Sequence, residues 1–407
     1  MRNIIMVQYN VLDIFAGCGG LSEGFERQKK YNLVAAVEWE KPQVQNLINR
    51  LNQKWNIKDA YNKVIRFDIQ RTEELFQGWE NDPKYGSHEG LNSLLNKKSL
   101  DVIIGGPPCQ AYSMAGRIRD GNGMKEDYRN YLFESYLTIV RRYRPRLFVF
   151  ENVPGMLSAK PGGTPVTELI KNEIEKSGYE IINDLKKFAQ IDMSEYGVPQ
   201  KRKRVIIIGL RKDLYPNAQQ VLEDFYLNIL PRFKEPVKTV REAISDLPPL
   251  YPVKEEYISG GKKYSHSLGG KMHNHMPRYH SKRDMQIFRI LAEDLESGIC
   301  KFTSSESLKS LYTQMTGKTS NVHKYHVLRW DKPSNTIPAH LYKDGLRHIH
   351  PDAAQARTIT VREAARLQTF DDDFEFISSA GDNYKMIGNA VPPKFSSKLA
   401  EAVDSLL

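Results

Sequence analysis

The feature that most constrains this chain is a rhythm running from residue 10 to about residue 211. Short apolar runs rich in Val, Ile, Leu and Phe alternate there with amphipathic stretches of helical length. VLDIFAG, LVAAVEW, KVIRFDI, LDVIIGG, RLFVFENV, YEIINDL and RVIIIGL are the candidate strands. Near-continuous apolar strands are buried on both faces, and strands separated by helices run parallel. The pattern therefore predicts an α/β fold with a doubly wound, mainly parallel sheet. After about residue 212 the rhythm stops, and Pro, Gly, Lys, His and Tyr dominate until about 340, which predicts a second, smaller and less regular domain. Helical patterning returns in VREAARLQTF at 361–370 and in KFSSKLAEAVDSLL after the turn GNAVPP at 388–393. A length of 407 residues suits two or three units at roughly 150 residues each.

In open α/β sheets ligands bind at the carboxyl ends of the strands, and that is where the unusual residues fall. The first candidate strand runs into DIFAGCGGLSEGF at 13–25, a glycine-rich strand-to-helix turn. Gly17, Gly19 and Gly20 let backbone approach a ligand closely. A dinucleotide fingerprint needs glycine where Ser22 stands, so a nucleoside cofactor without a diphosphate fits better. Glu38 ends the second strand, placed for ribose hydroxyls, with Trp39 beside it to pack on a purine. Asp68 ends the third, within reach of an adenine amino group. In GGPPCQAYS at 105–113, Pro107 and Pro108 stop the strand LDVIIGG and present Cys109 at its carboxyl end. Glu151 follows the strand RLFVF in ENVPG. Gln200, Arg202 and Arg204 alternate through QKRKRV into another strand and so share one face.

Composition narrows the partners. The net charge is +10, from 59 basic and 49 acidic residues. Residues 261–290 carry seven Lys and Arg against Asp284 alone, with Tyr264 and Tyr279 interleaved, a mixture that suits a phosphate backbone. His266, His273, His275 and His280 lie in the same stretch, but no cysteine or carboxylate pattern accompanies them, so no metal is expected. The three cysteines, Cys18, Cys109 and Cys300, are far apart and form no CxxC pair, which argues against a disulfide scaffold. No apolar run approaches the roughly 20 residues of a spanning helix, and polar residues interrupt the N-terminal segment. A cytoplasmic protein without membrane association is the expectation.

DIFAGCGGLSEGF, GGPPCQAYS, ENVPG, QKRKRV, TVREAARLQTF and GNAVPP occur in this order over residues 13–393, and together they resemble the DNA (cytosine-5)-methyltransferases of bacterial restriction–modification systems. The resemblance covers nearly the whole chain. It implies a Rossmann-like sheet that binds S-adenosyl-L-methionine, and methyl transfer to C5 of a cytosine in a specific double-stranded DNA sequence. Cys109 resembles the nucleophile that adds at C6. Glu151 matches the glutamate that holds N3 and the exocyclic amine. Arg202 and Arg204 match the two arginines of the motif, Arg204 being the donor to cytosine O2. Phe15, Gly17, Gly19, Gly20 and Leu21 would line the cofactor loop, with Glu38 on the ribose and Trp39 and Ile69 on the adenine. Asp68, Pro108, Leu132, Asn389 and Val391 would complete that pocket. Gln110, Ser113, Gln200, Lys324, Arg329 and Thr336 would meet DNA, with Thr336-Ile337 matching a short signature near the end of the recognition region.

GNAVPP lies at the far end of the sequence, so the resemblance implies a discontinuous catalytic domain, 1–212 plus 375–407, with a target-recognition domain and hinge at 213–374. Between Cys109 and Leu132 a glycine- and charge-rich segment with Arg117, Arg119 and Lys125 suits a lid over a cytosine swung out of the duplex. The protein is expected to be a monomer, and any cognate restriction endonuclease to act separately. Three other classes fit less well. A tRNA cytosine-5 methyltransferase would carry Thr at Ser113 and a shorter recognition insert. A catalytically dead relative would lack Cys109, Glu151 or the arginines. A nicotinamide oxidoreductase leaves Cys109 and QKRKRV unexplained. The target sequence is not readable from the chain.

Overall fold

The computed structural model describes residues 8–108, 132–160 and 163–407. By packing the chain divides into two compact units, one formed by 1–197, 202–236 and 390–407, the other by 198–201 and 237–389.

The first unit is built on one eight-stranded sheet. Its strands are β1 (Tyr9–Ile14), β2 (Tyr31–Glu38) and β3 (Val64–Arg66), then, after a separate hairpin of β4 (Trp79–Asp82) and β5 (Gly86–His88), β6 (Val102–Gly105), β7 (Leu147–Asn152), β8 (Tyr179–Ile181), β9 (Gln190–Asp192) and β10 (Lys203–Arg211). The order is β3-β2-β1-β6-β7-β10-β8, with β9 on β10. The five strands from β3 to β7 in that order are mutually parallel, whereas β10 runs antiparallel to β7, β8 and β9. All seven candidate strands are present, in the mostly parallel sheet that their composition predicts. β6 and the first four residues of β7 are buried throughout, as parallel interior strands must be when both faces are covered. Each Ile or Val buried there contributes about 1.5–3 kcal/mol relative to exposure.

Two close approaches close the first unit. The helix Gly20–Glu26 that follows β1 lies against the C-terminal helix Pro393–Asp404. A Cβ on Gly24 would come within 2.3 Å of the Ser396 backbone, and one on Gly20 within 2.5 Å of the Val391 carbonyl. Ser396 Oγ donates to Leu21 O, and Tyr31 OH donates to Ala400 O at 2.8 Å. The last eighteen residues thus complete the layer beside β1 and β2. On the other side of that helix a buried ion pair binds it to the helix Lys41–Gln53, with Arg50 Nε donating to Glu23 Oε2 at 3.0 Å and Trp55 Nε1 donating to the same oxygen at 3.1 Å.

The compact units and the expected segments differ in three places. Residues 213–236 pack with the sheet, because Leu222, Phe225 and Tyr226 are buried and Tyr226 OH donates to Ile206 O at 2.8 Å. Residues 198–201 join the second unit through a parallel bridge between Gln200 and Ser334. Residues 375–389 stay in the second unit because Phe376 packs on Phe370 and Phe374, and its amide donates to Asn274 Oδ1 at 3.1 Å. The bonds from Tyr226 to Ile206, Gln200 to Ser334 and Phe376 to Asn274 join residues far apart in the sequence, so composition along the chain cannot reveal them.

The second unit is less regular, and its regular structure is mainly helical. It contains the hairpin β11 (Pro252–Ser259) and β12 (Lys262–His266) and the helices Lys282–Glu296, Ser305–Thr316, Val361–Leu367 and Ala380–Asn389. Ile287, Phe288, Leu291, Leu308, Leu311 and Tyr325 form its apolar core. Beside it lies a buried polar lattice, in which Arg357 Nη2 meets Glu363 Oε1 at 2.6 Å while Glu363 also closes the capping box with Thr360. Of the histidines in the basic stretch, His266, His275 and His280 are buried, each with a ring nitrogen hydrogen-bonded to a carbonyl, hydroxyl or amide of this unit. Burial lowers the pKa of His266 to about 4 and of His280 to about 3. Among the described residues no cluster of three or more His, Cys, Asp or Glu is arranged to hold a metal, and no helix is long and apolar enough to cross a membrane.

The contact at Gly24 sets a test. Alanine gains about 1 kcal/mol of helix propensity over glycine, but its methyl would meet backbone that cannot rotate away. Gly24→Ala is expected to lower stability by about 1–3 kcal/mol in urea unfolding, and an unchanged or raised midpoint would show that the two helices are free to separate.

Candidate active site

The five parallel strands deliver their carboxyl ends to one edge, and the strand order reverses between β1 and β6. Loops that leave such a point in opposite directions open a crevice. Phe15, Gly17 and Gly19 follow β1 with φ of 61°, 59° and 91°. For the two glycines this left-handed backbone is unstrained, but Phe15 holds it at a cost of about 1–3 kcal/mol, which marks the turn as over-determined by its surroundings. The turn is clasped by Glu38 at the end of β2. Its Oε2 accepts from Gly17 N at 2.9 Å, and its Oε1 accepts from Trp39 N and Glu40 N at 2.8 Å each. Burial raises the pKa of Glu38 and these three donors act against it.

The other expected cofactor residues are distributed along the same unit. Leu21, Ile69, Leu132 and Val391 are buried, Leu132 as the first residue of the helix Leu132–Tyr143. Asp68 lies two residues beyond β3, half-buried, and accepts from Gln70 N at 3.1 Å. Pro108 is exposed after β6. Asn389 is the exposed last residue of the helix Ala380–Asn389 in the second unit. Trp39 is 42% exposed, and the Lys84 ammonium, from the tip of the β4–β5 hairpin, sits 4.9 Å from its ring centroid. Nothing in the sequence pattern points to Lys84.

Asp13, inside β1, was also not singled out. It is buried, both carboxylate oxygens lack a hydrogen-bond partner of good geometry, and the Ser22 hydroxyl and amide interact with it only weakly. Burial, with the charge of Glu38 adding to it, pushes its pKa up to about 8. An acidic residue within the apolar run VLDIF was the signal available in the sequence.

At the reacting end Glu151 stands in β7 and pairs in register with Ile206 of β10. Arg204, two residues before Ile206, reaches back so that its Nε lies 2.8 Å from Glu151 Oε1. Both side chains keep only about an eighth of their surface exposed, at 13% and 12%. Gly106 makes room for this carboxylate, since a Cβ there would come within 2.7 Å of Glu151 Oε2. Asn152 Nδ2 donates to Pro107 O at 3.4 Å, which ties the ENVPG loop to the proline segment. Arg202 is fully buried and its Nη2 donates to Ala390 O at 2.9 Å, so it holds the start of β10 to the C-terminal segment. Cys109, Gln110 and Ser113, with Arg117, Arg119 and Lys125, lie outside the described residues. What is described is the frame into which the proline segment leads.

The recognition residues separate by exposure. Gln200, expected at DNA, is instead fully buried: its Nε2 donates to Gln368 Oε1 and to Leu367 O, and its Oε1 accepts from Ile337 N at 3.0 Å. The side-chain amide is consumed inside the second unit. Its effect is to seat the Thr336-Ile337 pair, with Thr336 Oγ1 donating to Lys201 O. Thr336, Lys324 and Arg329 are exposed, the last paired with Asp331 at 3.3 Å.

A pH test follows from Asp13. Its carboxyl keeps a proton in the folded chain up to about pH 8, whereas its ordinary pKa is 3.8. Folding therefore favours the protonated side, and this contribution to stability is full below about pH 4 and is lost as pH rises toward 8. Asp13→Asn removes the ionisation. It is expected to stabilise the chain at pH 8 by about 1–3 kcal/mol, the cost of an uncompensated buried polar group, and to do little at pH 4. Parallel unfolding curves at both pH values, with equal midpoints for parent and variant, would refute this.

Comparison with known proteins bears on the same frame. The family model for C-5 cytosine-specific DNA methylases matches residues 9–405. The Type II methyltransferase M.Bpa9945I of Bacillus paralicheniformis is 35% identical over an alignment covering 98% of this chain and 99% of its own length. M.AgeI of Thalassovita gelatinovora, also a Type II methyltransferase, is 30% identical, with coverage of 96% and 98%. Among solved structures, a putative DNA modification methyltransferase encoded within an E. coli prophage superposes with a TM-score of 0.62 at 23% identity, covering 98% of this chain and 99% of that one. An Entamoeba histolytica methyltransferase superposes at 0.55 with 16% identity, covering 98% and 99%.

Proposed function

The chain belongs to the C-5 cytosine-specific DNA methylase family, and from that premise we propose how its own residues carry out the reaction. It is a DNA cytosine-5 methyltransferase of the restriction–modification type, in a family of S-adenosylmethionine-dependent enzymes. The observation that carries the mechanistic reading is the Glu151–Arg204 pair beside Gly106, at the same sheet edge as the β1 turn and the proline segment.

The residues of the β1 edge fit S-adenosylmethionine. Asp13 is a buried carboxyl without a hydrogen-bond partner of good geometry, and a cationic ligand group placed beside it would favour its ionised form. Glu38 offers carboxylate oxygens for ribose hydroxyls, and Trp39 an exposed aromatic surface for adenine. Phe15, Gly17, Gly19, Gly20 and Leu21 would follow the ligand's backbone side, with Asp68, Ile69, Pro108, Leu132, Asn389 and Val391 around it. When bound, the cofactor supplies an electrophilic methyl group on a sulfonium.

Cytosine C5 is a poor nucleophile. Thiolate addition of Cys109 at C6 would make C5 enamine-like, and a free thiol near pKa 8.5 is mostly protonated at pH 7, so neighbouring cations would raise the reactive fraction. Glu151 would hold N3 and the exocyclic amine and deliver a proton to N3, offsetting the charge pushed into the ring. Arg204 would donate to O2 and, through the 2.8 Å contact, keep the Glu151 carboxyl in place. Arg202 would act as the brace that fixes β10. After methylation, loss of the C5 proton to a base and elimination of the thiolate free the product. The target cytosine must leave the duplex stack, at a cost of a few kcal/mol offset by pocket and backbone contacts. The first unit would be catalytic and the second would read DNA, with Lys324, Arg329 and Thr336 on its exposed side. A monomer acting on double-stranded DNA, with any cognate endonuclease acting separately, completes the reading.

Incubation with S-adenosylmethionine and unmethylated plasmid, followed by bisulfite sequencing, is expected to show cytosines protected from conversion at one short recurrent sequence, and complete conversion throughout or protection at random positions would reject it. Cys109→Ser is expected to abolish transfer while DNA binding survives. Glu151→Gln is expected to slow single-turnover transfer by about 10²–10⁴-fold, and DNA with 5-fluorocytosine at the target to trap an adduct stable to denaturing gels. Transfer at parental rates by Cys109→Ser would end the covalent mechanism.

A further inference from the structure

The second unit contains a cleft of about 340 Å³ lined by four cations, Arg278, Arg283, Lys324 and Lys343, with Tyr279 and Tyr312 among its walls. The four differ in what already holds them. Arg278 is architectural: its Nη1 donates to Tyr342 O at 2.9 Å, its Nη2 to Leu341 O at 2.6 Å, and its guanidinium lies 4.1 Å from the Tyr384 ring centroid. It thereby fixes the backbone that presents Lys343. Arg283 is paired with its neighbour Asp284 at 3.1 Å. Lys324 and Lys343 have no carboxylate within ion-pair distance among the described residues, and the Lys324 ammonium lies 5.1 Å from the Tyr312 ring centroid.

Two unpaired lysines from separate segments, with two arginines behind them and only Asp284 and Asp344 opposing, make a cleft whose charge is offset by an anion that enters it. Surface pairs with carboxylates would have been easy to supply, since the chain carries 49 Asp and Glu. The cleft also contains part of the basic, tyrosine-bearing stretch at 261–290, in which His266, His275 and His280 are buried framework. We propose that this cleft takes a backbone phosphate of the DNA duplex, with Lys324 and Lys343 as the contacting cations and Tyr312 as the ring against which Lys324 is held. The proposal rests on the reading of double-stranded DNA as substrate. It adds the kind of contact made and names Lys343, which no sequence motif marks. A phosphate contact anchors the second unit on any sequence, and selection among sequences is left to other groups such as Thr336 and Arg329.

The test uses the full chain and fluorescence anisotropy with two labelled duplexes, one carrying the methylated sequence found by bisulfite mapping and one lacking it, across a salt series. Lys324→Gln, Lys343→Gln and the double variant are compared with the parent. Each lost phosphate contact is expected to make the slope of log K against log salt shallower by about 0.9, and to weaken both duplexes by the same factor. Unchanged binding of S-adenosylhomocysteine reports that the variants are folded. An unchanged slope in the folded double variant overturns the proposal. So does a loss confined to the target duplex, which would assign the lysines to base reading. A parent protein that neither binds duplex nor methylates it would instead defeat the substrate reading itself, before the lysines are tested.

Discussion

Backbone without side chains at the carboxyl edge of the sheet is the constraint on which the rest of the first unit depends. A Cβ at Gly105 would come within 2.3 Å of Ile14 O, one at Gly106 within 2.7 Å of the Glu151 carboxylate, and one at Gly20 within 2.5 Å of Val391 O. These three positions let β1, β6, β7 and the C-terminal segment converge on one small volume. With larger residues the strands would have to part, and Glu38 would lose Gly17 while Asn152 lost Pro107. Each of the hydrogen bonds lost is worth about 0.5–1.5 kcal/mol, small singly but all needed for one geometry.

Buried charge is used in two different ways. Glu23 with Arg50, and Glu363 with Arg357, are pairs whose hydrogen bonds compensate for lost hydration. Burial pushes the Glu363 carboxyl up, but Arg357 and His350 pull it well below the usual range, so it remains a charged keystone of its helix cap. Replacing such pairs by apolar groups is often tolerated, whereas removing one partner is not, and both pairs hold helices rather than ligands. Asp13 is the opposite case. Its carboxyl is buried without a hydrogen-bond partner of good geometry, and it sits in the strand that leads into the strained turn at Phe15. Local cost of this kind persists where the surroundings impose it, and such places cluster at functional sites.

The two units divide the labour physically. The first concentrates backbone precision, with Glu38 and Asn152 at its edge held by specific hydrogen bonds. The second holds its buried histidines, Arg357 and Gln200 in an internal lattice and keeps Lys324, Arg329 and Lys343 exposed at its surface. Gln200 shows how a motif residue can act at a distance from chemistry: its amide is spent on Gln368 and Ile337, and its consequence is the placement of Thr336.

Much of this was legible in the amino-acid order. The seven apolar runs determined the sheet strands, because a strand buried on both faces must be apolar along its length. The glycine turn, the two prolines and the carboxylates of Glu38 and Glu151 were visible as strand-end residues, because strand ends are where period and composition change together. The short strand β9 and the hairpin at β4 and β5 were not, being three or four residues long and half exposed. Nor were the packing of 213–236 on the sheet, the burial of Gln200 and Arg202, the orphaned oxygens of Asp13, or the gathering of Lys324 and Lys343 around one cleft. Local sequence specifies which segments are strand or helix through periodicity and turn chemistry. Which buried polar group finds a partner, and which cations face one another, depends on contacts between residues tens to hundreds of positions apart, and only the folded chain decides those.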